Sequence, residues 1–347
     1  MSLQRTIKRE IIQVEKCPYS GHYVFMSVSP AGPDTGIVFE VPRGEVRANY
    51  RNAKAERRSI LLKEDSAKVL MPEHFLAILF ANEIDNARVK LKRCKPTRIN
   101  DFSYLLTYCS RKLFEKEGMN EPEVVPIIGT AENRLCERIK EYGTEEQDKE
   151  QRTLRLEQPF ETKKISFYPI DGDEIIMQAT TEYNPIGAQT VELAITPETF
   201  RKEIAGARPY GMHIGKYLFF LPKKTQMMAA KFFASLLNPT LGIGHGFDET
   251  NVFLPPKTAE KWCEQEKYSG EIARHTITDK LAPLALLPGR VEGIRMIVRL
   301  GSNHANDLCV LRELAKRLKP YKSSRRRTFA VGEGNESVFS SKLAYTS

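Results

Sequence analysis

The sequence predicts an α+β fold built in two halves of related size. Three observations carry this prediction. A chain of 347 residues is longer than one hydrophobic core usually supports, because domains cluster at roughly 100 to 200 residues. Strand-like and helix-like patterns follow one another in a rough strand, helix, strand, helix order in each half. Between the halves the segment 113–152 changes character, rich in Glu and Lys and broken by Gly and Pro. The predicted organisation is an N-terminal α+β domain over 1–112, an inter-domain insertion with one helix over 113–152, a C-terminal α+β domain over 153–320 and a basic flexible tail over 321–347.

The elements follow from local pattern. "YVFMSVSPAGPDTGIVFEV" (23–41) holds two short strand-like runs around a Pro/Gly/Asp turn, which is hairpin chemistry. "PEHFLAILFAN" (72–82) reads as helix and "NARVKLKR" (86–93) as an alternating strand, with a further helix expected over about 103–116. After the insertion, strands return in "TLRLEQPFETKKISFYPIDGDEIIMQATTEY" (153–183), where "DGDE" signals a turn. Then come a helical pattern in "PETFRKEIAGAR", a helix over about 225–237 and another over about 265–287. The strand "IRMIVRL" and the helix "ANDLCVLRELAKRL" close the half. The Ser/Arg/Gly-rich tail after about Pro320 carries no periodic pattern.

Composition narrows the function. With 41% hydrophobic and 28% charged residues the chain is that of an ordinary globular protein. Its longest apolar stretches, "YLFFL" and "LAPLALL", fall far short of the ~20 residues a membrane-spanning helix needs. The amphipathic, charged N-terminus lacks the plan of a signal peptide, so a cytoplasmic location is expected. Six cysteines without a CxxC pair are expected to be free thiols. A net charge of +9 favours anionic partners. Its main clusters, "RNAKAERR", "KLKRCK" and "KRLKPYKSSRRR", have the form of solvated surface and tail, so nucleic acid is not the expected partner.

The six histidines stand at 22, 74, 213, 245, 275 and 304. In "RHTITDK" His275 and Asp279 are four apart, so on a helix they project from one face and can grip one ion. A helix-surface hydrogen bond gives the same spacing. A catalytic zinc takes three protein ligands and leaves a position open, and His74 can supply the third from the other half. Glu73 beside it is then placed to take a proton from water at that open position. Taken alone, Glu73 and His74 read first as a helix cap and a packed imidazole rather than as chemistry. His304, in "LGSNHAND", follows a strand and opens a helix, where it either donates a proton to a leaving amine or sits among the capping residues Ser302, Asn303 and Asn306.

Together these motifs resemble the zinc-dependent UDP-3-O-acyl-N-acetylglucosamine deacetylases of lipid A biosynthesis. "QRTIKREIIQV" and "SGHYVFMSVSPAGPDTGIVF" are similar to the family's first hairpin, and "MPEHFLAILFANEIDNARVKL" to its Glu-His helix and following strand. "INDFSYLL", "FRKEIAGARPYGM", "GIGHGFDETNVFL", "RHTITDKLAPLALL" and "IRMIVRLGSNHAND" follow in the family's order. The resemblance covers most of residues 4 to 318, apart from the 113–152 insertion. It implies two similar α+β domains, each a β-sheet layered with helices, with the active site between them. It also implies zinc held by His74, His275 and Asp279, Glu73 as general base and His304 as general acid. The implied reaction removes an N-acyl group, expected to be acetyl, from an acylated amino sugar, possibly UDP-linked. The enzyme would need no more than transient contact with a membrane surface.

Several family positions are changed. Pro209 replaces a threonine that helps hold the oxyanion, Thr276 a lysine near the substrate's phosphates and Pro283 an aspartate that orients the acid histidine. Tyr19 and Asn184 replace histidines. The apolar segment 217–237 occupies the place of the family's acyl-chain passage, or is plain core. A second reading follows from these changes: a homologue that has lost or altered catalysis and serves as a binding or regulatory protein.

Overall fold

A computed structural model describes residues 2–16, 23–56, 59–93, 123–126, 130–183, 187–209, 225, 266, 269–299 and 304–321. The first half contains β1 (Leu3–Ile7), β2 (Ile11–Lys16), β3 (Tyr23–Pro30), β4 (Ile37–Val41), β5 (Gly44–Arg47), β6 (Ala53–Glu56), β7 (Ser59–Glu64), β8 (Ala67–Leu70), α1 (Glu73–Ala81) and β9 (Ala87–Arg93). Next come β10 (Glu123–Val124), α2 (Thr130–Tyr142) and β11 (Thr144–Glu150). The second half runs through β12 (Thr153–Leu156), β13 (Phe160–Glu161), β14 (Ile165–Pro169), β15 (Ile175–Tyr183), β16 (Gly187–Ala194) and the short α3 (Pro197–Thr199). It closes with α4 (Glu271–Ala285), β17 (Arg290–Val291), β18 (Ile294–Arg299), α5 (His304–Arg317) and β19 (Leu318–Tyr321).

The two halves repeat one topology. The first five-stranded sheet has the order β2-β3-β9-β4-β5 and the second β13-β14-β18-β15-β16. In each, the strand latest in sequence occupies the centre. β9 runs antiparallel to β3 and parallel to β4, and β18 runs antiparallel to β14 and parallel to β15. The hairpin expected over 23–41 is therefore split by β9, and the "DGDE" turn joins two strands separated by β18. The reason is burial. Ala87, Val89 and Leu91 of β9 are almost wholly inaccessible, as are Ile294, Met296 and Val298 of β18, and such strands need neighbours on both edges.

Each central strand follows a helix, α1 before β9 and α4 before β18. All nine residues of α1, "EHFLAILFA", are buried, which suits a helix apolar on every side. Each large side chain of this kind contributes about 2 kcal/mol by leaving water. Phe75 packs edge-on against Phe39 of β4, with ring centroids 5.6 Å apart. Against its other side lies α4, thirteen of whose fifteen residues are buried. One continuous apolar core joins the two halves, from Phe39 and Phe75 to Phe167 and Phe200.

Elsewhere tertiary pairing overrides sequence pattern. The polar run "TEEQDKE" in the expected insertion is β11, paired antiparallel with β1. It has no apolar alternation; backbone pairing holds it, aided by Gln147, which accepts a bond from the Asn86 side chain and donates one to the Ala31 carbonyl. β6, β7 and β8 form a sheet with β10 that no periodicity announced. β19 extends past the end of the last expected helix as an edge strand on β12, a position that tolerates Pro320. The helix expected from "PETFRKEIAGAR" is one α-turn continued by a π-helical turn, Phe200–Ile204. The helices expected over 103–116 and 225–237 lie outside the described residues, apart from position 225. Cys136 and Cys309 are the two cysteines among the described residues, the first buried and the second exposed.

The C-terminal end of α1 is held by a cation from the other half. Arg290 Nη1 donates to the Phe80 carbonyl at 2.9 Å, its Nη2 lies 3.4 Å from Glu83 Oε1, and its guanidinium covers the Phe80 ring at 4.9 Å. Charge-assisted bonds of this kind contribute about 1.5 to 3 kcal/mol. Replacing Arg290 by Met is therefore expected to lower unfolding stability by about 2 kcal/mol. The check is urea denaturation, where the midpoint should fall with the slope unchanged.

Candidate metal centre

The centre forms where the N-terminal end of α1 meets the middle of α4. Pro72 precedes α1, and no side chain caps it. Glu73 is 3% exposed, and its Oε2 accepts the Ile60 backbone N–H at 3.3 Å. Its carboxylate sits at the end of the helix dipole that favours negative charge.

α4 starts at Gly270, whose φ of +72° and whose approach to Val191 both require glycine: an added Cβ would lie 2.8 Å from Val191 Cγ2. From this start His275 and Asp279 are one turn apart. His275 Nδ1 lies 3.1 Å from the carbonyl of Ala207. A carbonyl only accepts, so this contact makes Nδ1 the donor and leaves Nε2 free to face the cluster. The neighbouring Arg208 is fixed in turn. Its backbone N–H and Nε donate to Glu271 Oε1 at 2.9 and 2.7 Å, and its Nη2 to Oε2 at 2.8 Å.

The structure brings all five residues singled out in the sequence into one place. His74 Nε2 lies 3.3 Å from Asp279 Oδ1, and His275 Nε2 3.8 Å from the same oxygen. The second separation is too long for a hydrogen bond. The two imidazoles meet edge to face, with centroids 4.8 Å apart. One ligand atom from each of His74, His275 and Asp279 fits within 4.8 Å of the others. His304 Nε2 lies 3.9 Å from Glu73 Oε1. On its other side His304 Nδ1 lies 3.7 Å from Asp307 Oδ2, which accepts Lys280 Nζ at 2.5 Å.

Burial governs the charges. It lowers the His275 imidazole to about 4, against the pull of Asp279, so this ring is neutral near pH 7, the form that binds a metal. Burial also pushes Asp279 upward, but His275, a hydrogen bond from His74 and the nearby His304 outweigh it and hold the carboxyl below its usual range. The Glu73 carboxyl is raised, by burial first, with His304 and His74 opposing. A neutral imidazole and an ionised carboxylate within reach of a second imidazole are a donor set that zinc accepts.

Of the changed positions, Thr276 is buried and its hydroxyl donates to the Ile272 carbonyl at 3.0 Å inside α4. Pro209 follows Arg208 directly, and Pro283 lies within α4. Tyr19, Asn184, the 217–237 segment and "GIGHGFDETNVFL" lie outside the described residues. Two charged pairs beside the centre, Arg208 with Glu271 and Lys280 with Asp307, were missed in the sequence. The signal was present: charges on a helix whose neighbours are all buried have to be paired.

The fold is α+β and the cluster is a donor set able to hold a metal ion, and comparison with known proteins makes the chain a member of a deacetylase family. The chain belongs to the UDP-3-O-acyl N-acetylglycosamine deacetylase family, whose sequence model matches residues 4–96 and 118–218. Glu73 and His74 fall within that match, whereas His275, Asp279 and His304 lie beyond it. The UDP-3-O-acyl-N-acetylglucosamine deacetylase of Chlamydia pneumoniae is 27% identical over 329 residues, covering 91% of this chain and 98% of that protein. The enzyme of the same description from Marinobacter nauticus is 26% identical over 312 residues, covering 89% of each. That of Chlamydia trachomatis is 23% identical over 317 residues, covering 88% and 93%.

Arg208 supports His275 through the adjacent Ala207 carbonyl, and its removal strips a buried carboxylate of a bidentate partner. Arg208→Ala is expected to cost about 3 kcal/mol of stability and to weaken the affinity of the His–His–Asp cluster for an added metal ion roughly tenfold or more. Thermal unfolding and competition with a chelator measure the two effects separately.

Proposed function

We propose that this chain hydrolyses the N-acetyl group of an acylated amino sugar carried on UDP. In this reading zinc is held by His74, His275 and Asp279, Glu73 is the general base and His304 the general acid. The observation that carries it is the side-by-side placement of a His–His–Asp donor set and a buried carboxylate–imidazole pair, Glu73 Oε1 and His304 Nε2 at 3.9 Å. The substrate class is supported by the relatives, which are described as acting on UDP-3-O-acyl-N-acetylglucosamine, and it places the reaction in lipid A biosynthesis. No helix among the described residues is long and apolar enough to cross a membrane, and the proposed site of action is the cytoplasm.

Zinc, when bound, supplies Lewis acidity that polarises the amide carbonyl and makes water a better nucleophile. Glu73 takes a proton from the attacking water. Burial raises its carboxyl, which strengthens it as a base, and the Ile60 N–H anchors one oxygen while the other faces His304. The water oxygen bonds to the acyl carbon, the C–N bond breaks and His304 Nε2 delivers a proton to the departing nitrogen. The products are acetate and the free amine. Pro209 offers neither hydroxyl nor N–H, so the developing oxyanion is met by other groups. Thr276 carries no charge and turns its hydroxyl back to its own helix. Recognition of the substrate's phosphates therefore rests on Arg and Lys side chains outside this position.

The purified protein is expected to carry about one zinc per chain and to release acetate from UDP-3-O-acyl-N-acetylglucosamine. His275→Ala should lose the metal. Glu73→Gln should keep it while slowing acetate release by roughly 10²- to 10⁴-fold. Metal analysis of the three proteins beside an acetate assay decides the matter. A wild-type chain expressed with ample zinc that retains none, or that retains it and releases no acetate, overturns the proposal.

A further inference from the structure

We infer that Asp307 is the positioning residue that orients the imidazole of His304 through Nδ1, and that Lys280 holds Asp307 in place for that task. The inference rests on the function proposed above, in which His304 delivers the proton. It concerns how that ring is aimed.

The two nitrogens of His304 face different partners. Nε2 lies 3.9 Å from Glu73 Oε1 and so looks into the reaction centre, whereas Nδ1 lies 3.7 Å from Asp307 Oδ2. His304 is the first residue of α5 and Asp307 stands three positions on, so the two side chains share a face of the helix. Both are buried, at 8% and 2% exposure. Among the described residues His304 Nδ1 and Asp307 Oδ1 are each buried without a hydrogen-bond partner. Two such atoms on neighbouring side chains, one able to donate and one able to accept, are costly apart and satisfied together. The 3.7 Å separation is longer than a hydrogen bond. A small rotation of either side chain closes it, as happens when a site tightens around its substrate.

Lys280 supplies the second half of the device. It projects from α4, one position after Asp279, and its Nζ reaches Asp307 Oδ2 at 2.5 Å with both side chains almost wholly buried. One carboxylate oxygen is thus anchored by the helix that carries the donor cluster. Pro283, further along α4, carries no acceptor side chain. Asp307 approaches the His304 ring from its own helix. By accepting Nδ1–H it selects the tautomer whose Nε2 is free to carry the delivered proton. A purely structural role, in which Lys280 and Asp307 only pin α4 to α5, would leave the ring's tautomer indifferent to their removal.

The test uses the full chain with ¹⁵N-labelled histidine. Long-range proton–nitrogen spectra report which ring nitrogen carries the proton, and His304→Gln identifies the His304 signals. The expected wild-type result is Nδ1–H, lost in Asp307→Asn. Because that substitution removes the carboxylate that Lys280 Nζ contacts, a second protein carries Lys280→Met with Asp307→Leu, which exchanges the buried pair for apolar groups of similar size. It should remain folded by thermal unfolding and also lose the Nδ1–H form. With UDP-3-O-acyl-N-acetylglucosamine, kcat should fall roughly 30-fold or more in both. KM and zinc content should stay within about twofold, and Asp307→Glu should recover part of the rate. An Nε2–H ring in the wild type, or kcat within about threefold of wild type in both variants, overturns the inference. A wild-type chain that shows Nδ1–H but releases no acetate would overturn the proposed reaction and leave the assignment of Asp307 standing.

Discussion

The packing of α1 against α4 is the contact on which the rest of the molecule depends. Two helices buried on nearly every side meet at the core of the two halves, bringing the buried Glu73 and His74 of one against the buried His275 and the partly exposed Asp279 of the other. A buried carboxylate is costly unless paired. Asp279 is compensated by the two imidazoles and His304, while Glu73 has its carboxyl raised instead. Burial thus raises the Glu73 carboxyl, while the neighbouring imidazoles overcome it at Asp279 and hold that carboxyl below its usual range.

The surrounding structure reads as what is needed to keep that contact in register. Gly270 starts α4 where no Cβ fits, Arg208 and Glu271 fix the Ala207 carbonyl that steers His275, and Arg290 grips the far end of α1. Each of these groups is buried or nearly so, and each joins segments distant in sequence. The repeated sheet topology gives the same result at a larger scale. Each sheet carries its last strand at the centre, the helix before it packs on the sheet, α1 through Phe75 on β4 and α4 on β15 and β16, and the two helices pack against each other.

The altered positions around the centre acquire a physical meaning only within this frame. Thr276 spends its hydroxyl on the Ile272 carbonyl, and Pro283 sits in α4 without an N–H to give. The Lys280–Asp307 pair lies on the opposite side of His304 from Glu73. The His–His–Asp cluster and the Glu73–His304 pair are thus bordered by a neutral Thr276, a Pro283 without a donor and a buried Lys280–Asp307 pair.

The α+β class, α1, α4, α5, β9, β18 and the His275–Asp279 pair were legible in the sequence, because apolar periodicity and a spacing of four are local properties, whereas Glu73, His74 and His304 joined them only through the family resemblance. The strand order was not. A Pro/Gly/Asp turn between two strand-like runs looks the same whether the strands pair with each other or with a third, and only the burial of β9 and β18 decides for the third. β11 and β19 were hidden for a related reason, since strands held by backbone pairing at an edge need no apolar alternation. Sequence alone also left Glu73 and His74 open between a helix cap and a site. The fold resolved the geometry by leaving α1 without a side-chain cap and bringing His275, Asp279 and His304 around the pair from more than 200 positions away, a meeting that depends on which helices share a core and so is written in no local pattern.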